Sequence, residues 1–370
     1  MMVQSTPQTG AQAVSTSSDV IVAAEGLTRH FPLAGGASVR AVDGVSFDIR
    51  RAETFGLVGE SGSGKSTVAR LLLRLDEPTS GRVTVDGNDL FALSNRELRR
   101  QRRRMQIVFQ DPFAALNRRK TVEQIVGLPL SVHLGLRGQA RAARVAELLD
   151  LVGLRRELAG RYPHQMSGGQ CQRVGIARAL ALEPEFIVLD EAVSAVDVSI
   201  RAQLLNLLKD LQIRLGLTYL FVSHDLAVVR YMSSSVAVMY HGRIVEMGSR
   251  DRLFGDPMHP YTHCLMKAIP IPDPDQERAN ARARAGGVVE PDAVPVEGCR
   301  FRHRCPLGAL SPRCASEEPQ LIQVAPDHQV ACHYPQSPES VVNVVSTAAA
   351  AQQSIADPAS SSLPSHRSRG

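Results

Sequence analysis

Between residues 20 and 255, short apolar runs alternate with amphipathic stretches, the pattern of a parallel sheet covered by helices. ETFGLVG (53–59), EFIVLDE (185–191) and TYLFVSHD (218–225) read as buried strands. RAQLLNLLKDLQIRLG (201–216) reads as a helix: Leu204, Leu207, Leu208, Leu211 and Leu215 recur at helical spacing, and Gly216 ends it. From about residue 256 proline becomes frequent, at Pro257, Pro260, Pro270, Pro272 and Pro274, which marks a smaller, loop-rich extension over 256–336. Residues 1–19 and 337–370 are small and polar and read as disordered tails. The pattern predicts an α/β fold with no internal repeat.

Composition adds little to this. Hydrophobic content of 44% and charged content of 21% are those of a globular protein, and a net charge of +5 is only mildly basic. Such a charge suits an anionic membrane surface as well as a nucleic acid. The start of the chain lacks the basic residues and apolar run of a signal peptide. No stretch reaches the roughly 18–20 apolar residues needed to cross a bilayer. A cytosolic setting follows as an expectation, and disulfides are then a poor reading of the six cysteines.

Candidate chemistry changes the picture more. GESGSGKST (59–67) follows the first strand and precedes an apolar helix, the context that a G-x-x-x-x-G-K-[ST] phosphate loop requires. Gly59, Gly62 and Gly64 let the backbone wrap a phosphate, while backbone N–H groups and the helix N-terminus supply partial positive charge. Lys65 is expected at the β- and γ-phosphates and Ser66 at Mg²⁺. Ser61, Ser63 and Thr67 complete the expected nucleotide contacts. In FIVLDE (186–191), Asp190 ends a buried strand where it can hold Mg²⁺, and Glu191 is placed to polarise an attacking water.

With these motifs, the chain resembles the ATP-binding cassette (ABC) ATPases. MSGGQ (166–170) resembles the family signature, VFQDP (108–112) the loop carrying Gln110, SAVD (194–197) the D-loop, and SHD (223–225) the switch that carries His224. They occur in the family's order. The resemblance implies a P-loop ATPase core with a helical subdomain over about 112–165. It implies catalytic roles for Glu191, His224 and Gln110, with Gln110 also near Mg²⁺, and Phe31 stacked on adenine. Ser167, Gly168, Gly169 and Gln170 would open a helix that closes over ATP held by a partner subunit. Asp197 would couple the two sites of a head-to-tail dimer.

EAVSAVDVS (191–199), HPYTHCLMKAIP (259–270), GCRFRHRCP (298–306) and DHQVACH (327–333) resemble the oligopeptide/dipeptide importer branch. Its members imply a second, often different, ATPase chain, two membrane-spanning permeases and an extracytoplasmic solute-binding protein. The expected place is peripheral, at the cytoplasmic face of the inner membrane. The expected function is powering peptide import by ATP hydrolysis; nickel or another small solute, and a soluble non-transport ABC ATPase, are the alternatives. Cys171 after SGGQ and Val196 in the D-loop depart from the usual pattern. RELRRQRRRMQ (96–106) could bind phosphates, but it also reads as a solvated helix face, and no nucleic-acid partner is expected.

Four cysteines, Cys299, Cys305, Cys314 and Cys332, fall in a segment poor in apolar core. Small loop-rich segments need a staple, and four thiolates suit structural Zn²⁺ or a [4Fe–4S] cluster. Unliganded thiols are the third possibility. The branch resemblance implies the cluster; His303, His328 and His333 are spare donors that would favour zinc. Cys171 and Cys264 are expected to be unliganded. The expected arrangement is a small lobe set against the ATPase body.

Overall fold

The structure is a computed structural model that describes residues 19–33, 38–194, 196–267, 297–308 and 311–335. Apart from Asp19, the expected tails at 1–19 and 337–370 lie outside the described residues, as do 268–296 of the extension. In chain order the elements are β1 (Val20–Pro32), β2 (Ser38–Arg50), β3 (Thr54–Val58), α1 (Lys65–Leu72), β4 (Ser80–Val85), β5 (Asn88–Asp89), α2 (Asn95–Arg104) and β6 (Met105–Val108). Then come α3 (Pro112–Ala115), α4 (Val122–Leu134), α5 (Gly138–Leu151), α6 (Gly168–Leu180), β7 (Phe186–Asp190), α7 (Val198–Leu215) and β8 (Thr218–Ser223). The last are α8 (Leu226–Met232), β9 (Ser235–Tyr240), β10 (Arg243–Ser249), α9 (Arg250–Gly255), α10 (Pro260–Lys267), α11 (Pro312–Ser316), β11 (Ile322–Ala325) and β12 (His328–Val330).

The main sheet has eight strands in the order β11-β12-β10-β9-β3-β8-β7-β6, and a second sheet has four in the order β2-β1-β4-β5. The stretch from β6 to β9 is parallel; from β9 through β10 and β12 to β11 the successive pairs are antiparallel. Strands β3, β7 and β8 read as continuous apolar runs because both faces of the sheet are covered. Phe55, Leu57, Phe186, Val188, Leu220 and Val222 pack toward the smaller sheet and α1. Their alternates Ile187, Leu189, Tyr219 and Phe221 pack toward α4–α8. Burying each such side chain contributes about 1.5–3 kcal/mol.

One expectation needs correction. The helix foreseen over 201–216 starts earlier, at Val198, and ends as expected with Gly216 in a left-handed conformation (φ 63°). Its buried stripe is Leu204, Leu205, Leu208 and Leu211, while Leu215 in the last turn is 47% exposed. The described part of the cysteine segment is joined to the main sheet. β12 pairs with β10 through Glu246↔Val330 and Gly248↔His328, so the segment extends the main sheet at its edge. The arginine run forms α2, capped by Ser94 and Glu97 in a reciprocal box, with Leu98 turned inward. Arg104 at its end pairs with Glu185 and Asp86, so part of the basic run has a structural use.

Candidate nucleotide site

The phosphate loop joins the end of β3 to the start of α1. A Cβ on Gly59 would lie 2.1 Å from the Met239 carbonyl oxygen, and one on Gly64 would lie 2.0 Å from that of Ala41. Gly64 also has φ 104°, so both positions exclude a side chain for reasons of space or conformation. Lys65, only 5% exposed, donates from Nζ to the carbonyls of Gly59 (2.9 Å) and Glu60 (2.7 Å) and to Ser63 Oγ (3.3 Å). The ammonium thus curls under the loop. Burial pulls its pKa below the ordinary lysine value, against the opposing pull of Glu191, Asp190 and Glu60. Ser63 is buried, whereas Ser61, Gly62 and Ser66 are exposed and Thr67 is half-buried.

Facing the loop is the C-terminal end of β7. The Ser66 hydroxyl donates to Asp190 Oδ1 at 2.9 Å, which unites the two groups expected at Mg²⁺. Burial pushes the Asp190 carboxyl above its usual range, countered by the Ser66 bond and reinforced by Glu191. A divalent cation there would meet a hydroxyl and a carboxylate, hard oxygen donors of the kind Mg²⁺ takes. Glu191 has φ 47°, uncommon for a residue with a side chain. Its N–H donates to the Val222 carbonyl, and its own carbonyl accepts from the Ser194 N–H and hydroxyl. These bonds hold the strained backbone and aim the carboxylate at His224, whose Nδ1 lies 3.1 Å from Glu191 Oε1.

The remaining expected residues are distributed around this centre. Gln110 is exposed just beyond β6, where the preceding Phe109 carbonyl accepts from Gln172 Nε2 on α6 at 3.3 Å. Ser167 caps α6 and forms a reciprocal box with Gln170. A Cβ on Gly169 would lie 2.5 Å from Ile200 Cγ2, so the start of α6 is pressed against α7. The hydrogen bonds of the Ser167 and Gln170 side chains are local. Gly168 is half-buried beside them, and Asp197 is exposed at the start of α7 with no side-chain cap. Phe31 is half-buried on β1, with the Arg29 guanidinium 4.6 Å from its ring centre. Cys171 is fully buried and its thiol donates to the Pro163 carbonyl, a place for a small side chain.

Sequence reasoning gave no role to the residues that tie the extension to this site. Tyr261 and Arg304 both bond to Glu60 in the phosphate loop. Buried Glu246 accepts from the Met258 and His259 N–H groups and from His328 Nε2. The available signals were the HPY run itself and the arginines interleaved with cysteines in CRFRHRCP; neither names a partner.

Cys299, Cys305, Cys314 and Cys332 line one cavity together with Phe301, His333 and Tyr334. The Cys299 N–H donates to the Cys314 carbonyl at 2.8 Å, which joins two of the segments. Burial pushes the Cys305 thiol up to about 11 and Cys332 up to about 12. Among the described residues, however, no group of three or more His, Cys, Asp or Glu side chains is drawn together as ligands of a metal ion. Cys299 and Cys305 pack against the core, and the four thiols share the cavity without converging as a ligand set. His328, foreseen as a spare donor, is committed to Glu246 at 2.7 Å. The donor chemistry fits a thiolate-bound metal group; the convergence does not accompany it. Cys264 is exposed on α10.

Among the described residues no helix is long and apolar enough to cross a membrane. Residues 42–194 match the family described as ABC transporter, and residues 245–314 match "Oligopeptide/dipeptide transporter, C-terminal region". The probable peptide ABC transporter ATP-binding protein y4tS of Sinorhizobium fredii is 49% identical over 322 residues, covering 85% of this chain and 90% of that protein. The oligopeptide transport ATP-binding protein AppF of Bacillus subtilis is 44% identical over 326 residues, covering 86% and 98%. The cbiO1 subunit of the cbiONQ ABC transporter complex of Clostridium perfringens superposes with a TM-score of 0.57 at 30% identity, covering 64% of this chain and 91% of that one. The ATP-binding cassette MJ0796, in a dimeric post-hydrolysis state bound to ADP and Pi, has a TM-score of 0.57 at 32% identity, covering 62% and 99%.

Proposed function

The chain belongs to the ABC transporter family, among the ATP-binding subunits of its oligopeptide/dipeptide branch, and from that premise we propose that it hydrolyses ATP to drive peptide import. The observation that carries the reading is the joint occurrence of the phosphate loop, the Asp190–Glu191–His224 cluster and an HPY-type extension in one fold.

In this mechanism the loop amides and Lys65 bind the β- and γ-phosphates. Gly59, Ser61, Gly62, Ser63, Gly64 and Thr67 line the same site, and Phe31 stacks on the base. Ser66, Asp190 and Gln110 would hold Mg²⁺, which neutralises phosphate charge. Glu191 accepts a proton from the attacking water. His224 holds the Glu191 carboxylate and faces the γ-phosphate. Ser167, Gly168, Gly169 and Gln170 serve the ATP bound to the partner subunit, and Asp197 lies at the same seam.

The partner ATPase is a different chain, two membrane-spanning permeases and an extracytoplasmic binding protein complete the importer, and this chain sits peripherally at the cytoplasmic face of the inner membrane. Affinity purification of the tagged chain from detergent-extracted membranes tests this. Co-purification of multi-span permeases and a second ABC ATPase is expected; a chain recovered only from the soluble fraction, free of permeases, contradicts it.

Cys299, Cys305, Cys314 and Cys332 are proposed to carry a [4Fe–4S] cluster as a structural staple. Support comes from four thiols on one cavity and from their chemistry. Iron, sulfide and zinc analysis of protein purified without oxygen tests it. Iron with matching sulfide is expected; zinc alone, or no metal, refutes the cluster.

A further inference from the structure

Arg304 lies one residue before Cys305, and its guanidinium makes a two-pronged ion pair with Glu60: Nη1 to Oε2 and Nη2 to Oε1, each at 2.8 Å. Glu60 is the second residue of the phosphate loop. Its N–H donates to the Tyr261 hydroxyl at 2.9 Å, and its carbonyl accepts from Lys65 Nζ at 2.7 Å. One loop residue is therefore held by two side chains of the extension and by the loop's own lysine.

The holding side chains are themselves fixed. Tyr261 is fully buried and packs on Tyr240 and Phe301, with ring centres 4.5 and 5.5 Å away. The Arg304 guanidinium lies 5.8 Å from the Tyr240 ring centre and 5.7 Å from that of Phe301. A planar fork held between aromatic rings has little freedom left to lose when it grips a carboxylate. A second arm leaves the same segment one residue after Cys299. Arg300 bonds to Asp43 and to the His241 carbonyl, and Asp43 Oδ1 lies 3.3 Å from His30, the neighbour of Phe31.

Charge gives the Glu60 contact its consequence. The Glu60 carboxylate, like those of Asp190 and Glu191, acts on Lys65, in a loop that must receive a polyphosphate. Arg304 neutralises that carboxylate, and Tyr261 holds the backbone N–H of the same residue. We propose that Arg304 and Tyr261 are positioning residues for ATP: through Glu60 they set the shape and charge of the phosphate loop, making the C-terminal extension part of the nucleotide-binding apparatus. This inference rests on the phosphate loop being the nucleotide site, and it adds a dependence that no motif of the ATPase core contains.

The test is equilibrium titration of the full chain with a fluorescent Mg-ATP analogue, beside thermal melts that verify folding. Arg304→Ala is expected to weaken binding about five- to tenfold, because an unpaired carboxylate then faces the phosphates. Adding Glu60→Gln to it should restore affinity to within about twofold of Glu60→Gln alone, a strongly non-additive pair. Arg304→Lys, which cannot make both prongs, and Tyr261→Phe should each weaken binding about threefold or more with the fold intact. In the assembled transporter Arg304→Lys should raise the KM for ATP while leaving kcat at saturating ATP near that of the parent, a split that general destabilisation does not produce. Arg156→Ala, which breaks a remote surface pair with Asp150, is the neutral control. Unchanged affinity in Arg304→Lys and Tyr261→Phe overturns the proposal, as does an additive Arg304–Glu60 pair. Lys65→Ala separates the two levels: if it binds the analogue as well as the parent does, the nucleotide-site reading itself is wrong.

Discussion

His224 at the end of β8 and Glu191 just after β7 meet at 3.1 Å, so adjacent parallel strands deliver an imidazole and a carboxylate to one point. The contact depends on Glu191 keeping its left-handed backbone, which turns the chain sharply off the strand. Glu191→Gln is expected to retain ATP binding and to lower hydrolysis by about 10²–10⁴-fold, the usual contribution of a positioned base. Phosphate release at saturating ATP checks it; a rate near that of the parent would remove Glu191 from the base role.

Lys65 is buried beneath its loop with three oxygen partners, ready to turn toward a phosphate. Lys65→Ala should cost about 2–5 kcal/mol of ATP affinity, the range seen when one member of a buried charge pair is removed. Direct binding measurement, rather than turnover, is the relevant readout.

Ser167 caps α6, and its side chain bonds locally, accepting from the Gln170 N–H. Ser167→Arg should therefore spare nucleotide binding by the isolated chain. In the assembled transporter it should lower hydrolysis by about a hundredfold or more, since it obstructs an anion-binding helix end that the partner's ATP needs. Normal turnover there would refute the shared site.

The motifs that carried the reading are local, and local spacing is what a sequence displays. The strands at 53–59, 185–191 and 218–225, the loop before α1 and the cap of α6 were all legible because each is a run of neighbouring residues. Even so, helical spacing puts Leu215 in the buried stripe and omits Leu205, whereas Leu215 is exposed and Leu205 buried: spacing identifies a stripe but not which of its flanking positions the packing covers. The contacts that were invisible join distant segments. Arg304 reaches Glu60 across 244 positions, and His328 reaches Glu246 across 82. The pairing of β12 with β10 belongs to the same class: three exchanged residue pairs at a sheet edge leave no period in the sequence.

Glu246 provides a stability prediction from one of those contacts. It is fully buried, and its carboxylate serves two backbone N–H groups and His328. Glu246→Ala strips all three of their partner and should destabilise the protein by about 3–5 kcal/mol. The urea midpoint reads this directly. Glu25→Ala, which removes the exposed partner of Arg82, should leave the midpoint unmoved.

The central claim, that ATP turnover at this site powers peptide uptake, is tested most directly by accumulation of a labelled oligopeptide in cells whose only copy of this chain is either the parent or Glu191→Gln. The account predicts energy-dependent accumulation with the parent and background levels with the variant at equal protein abundance. Equal peptide accumulation in both, or loss of nickel uptake with peptide uptake intact, would contradict it.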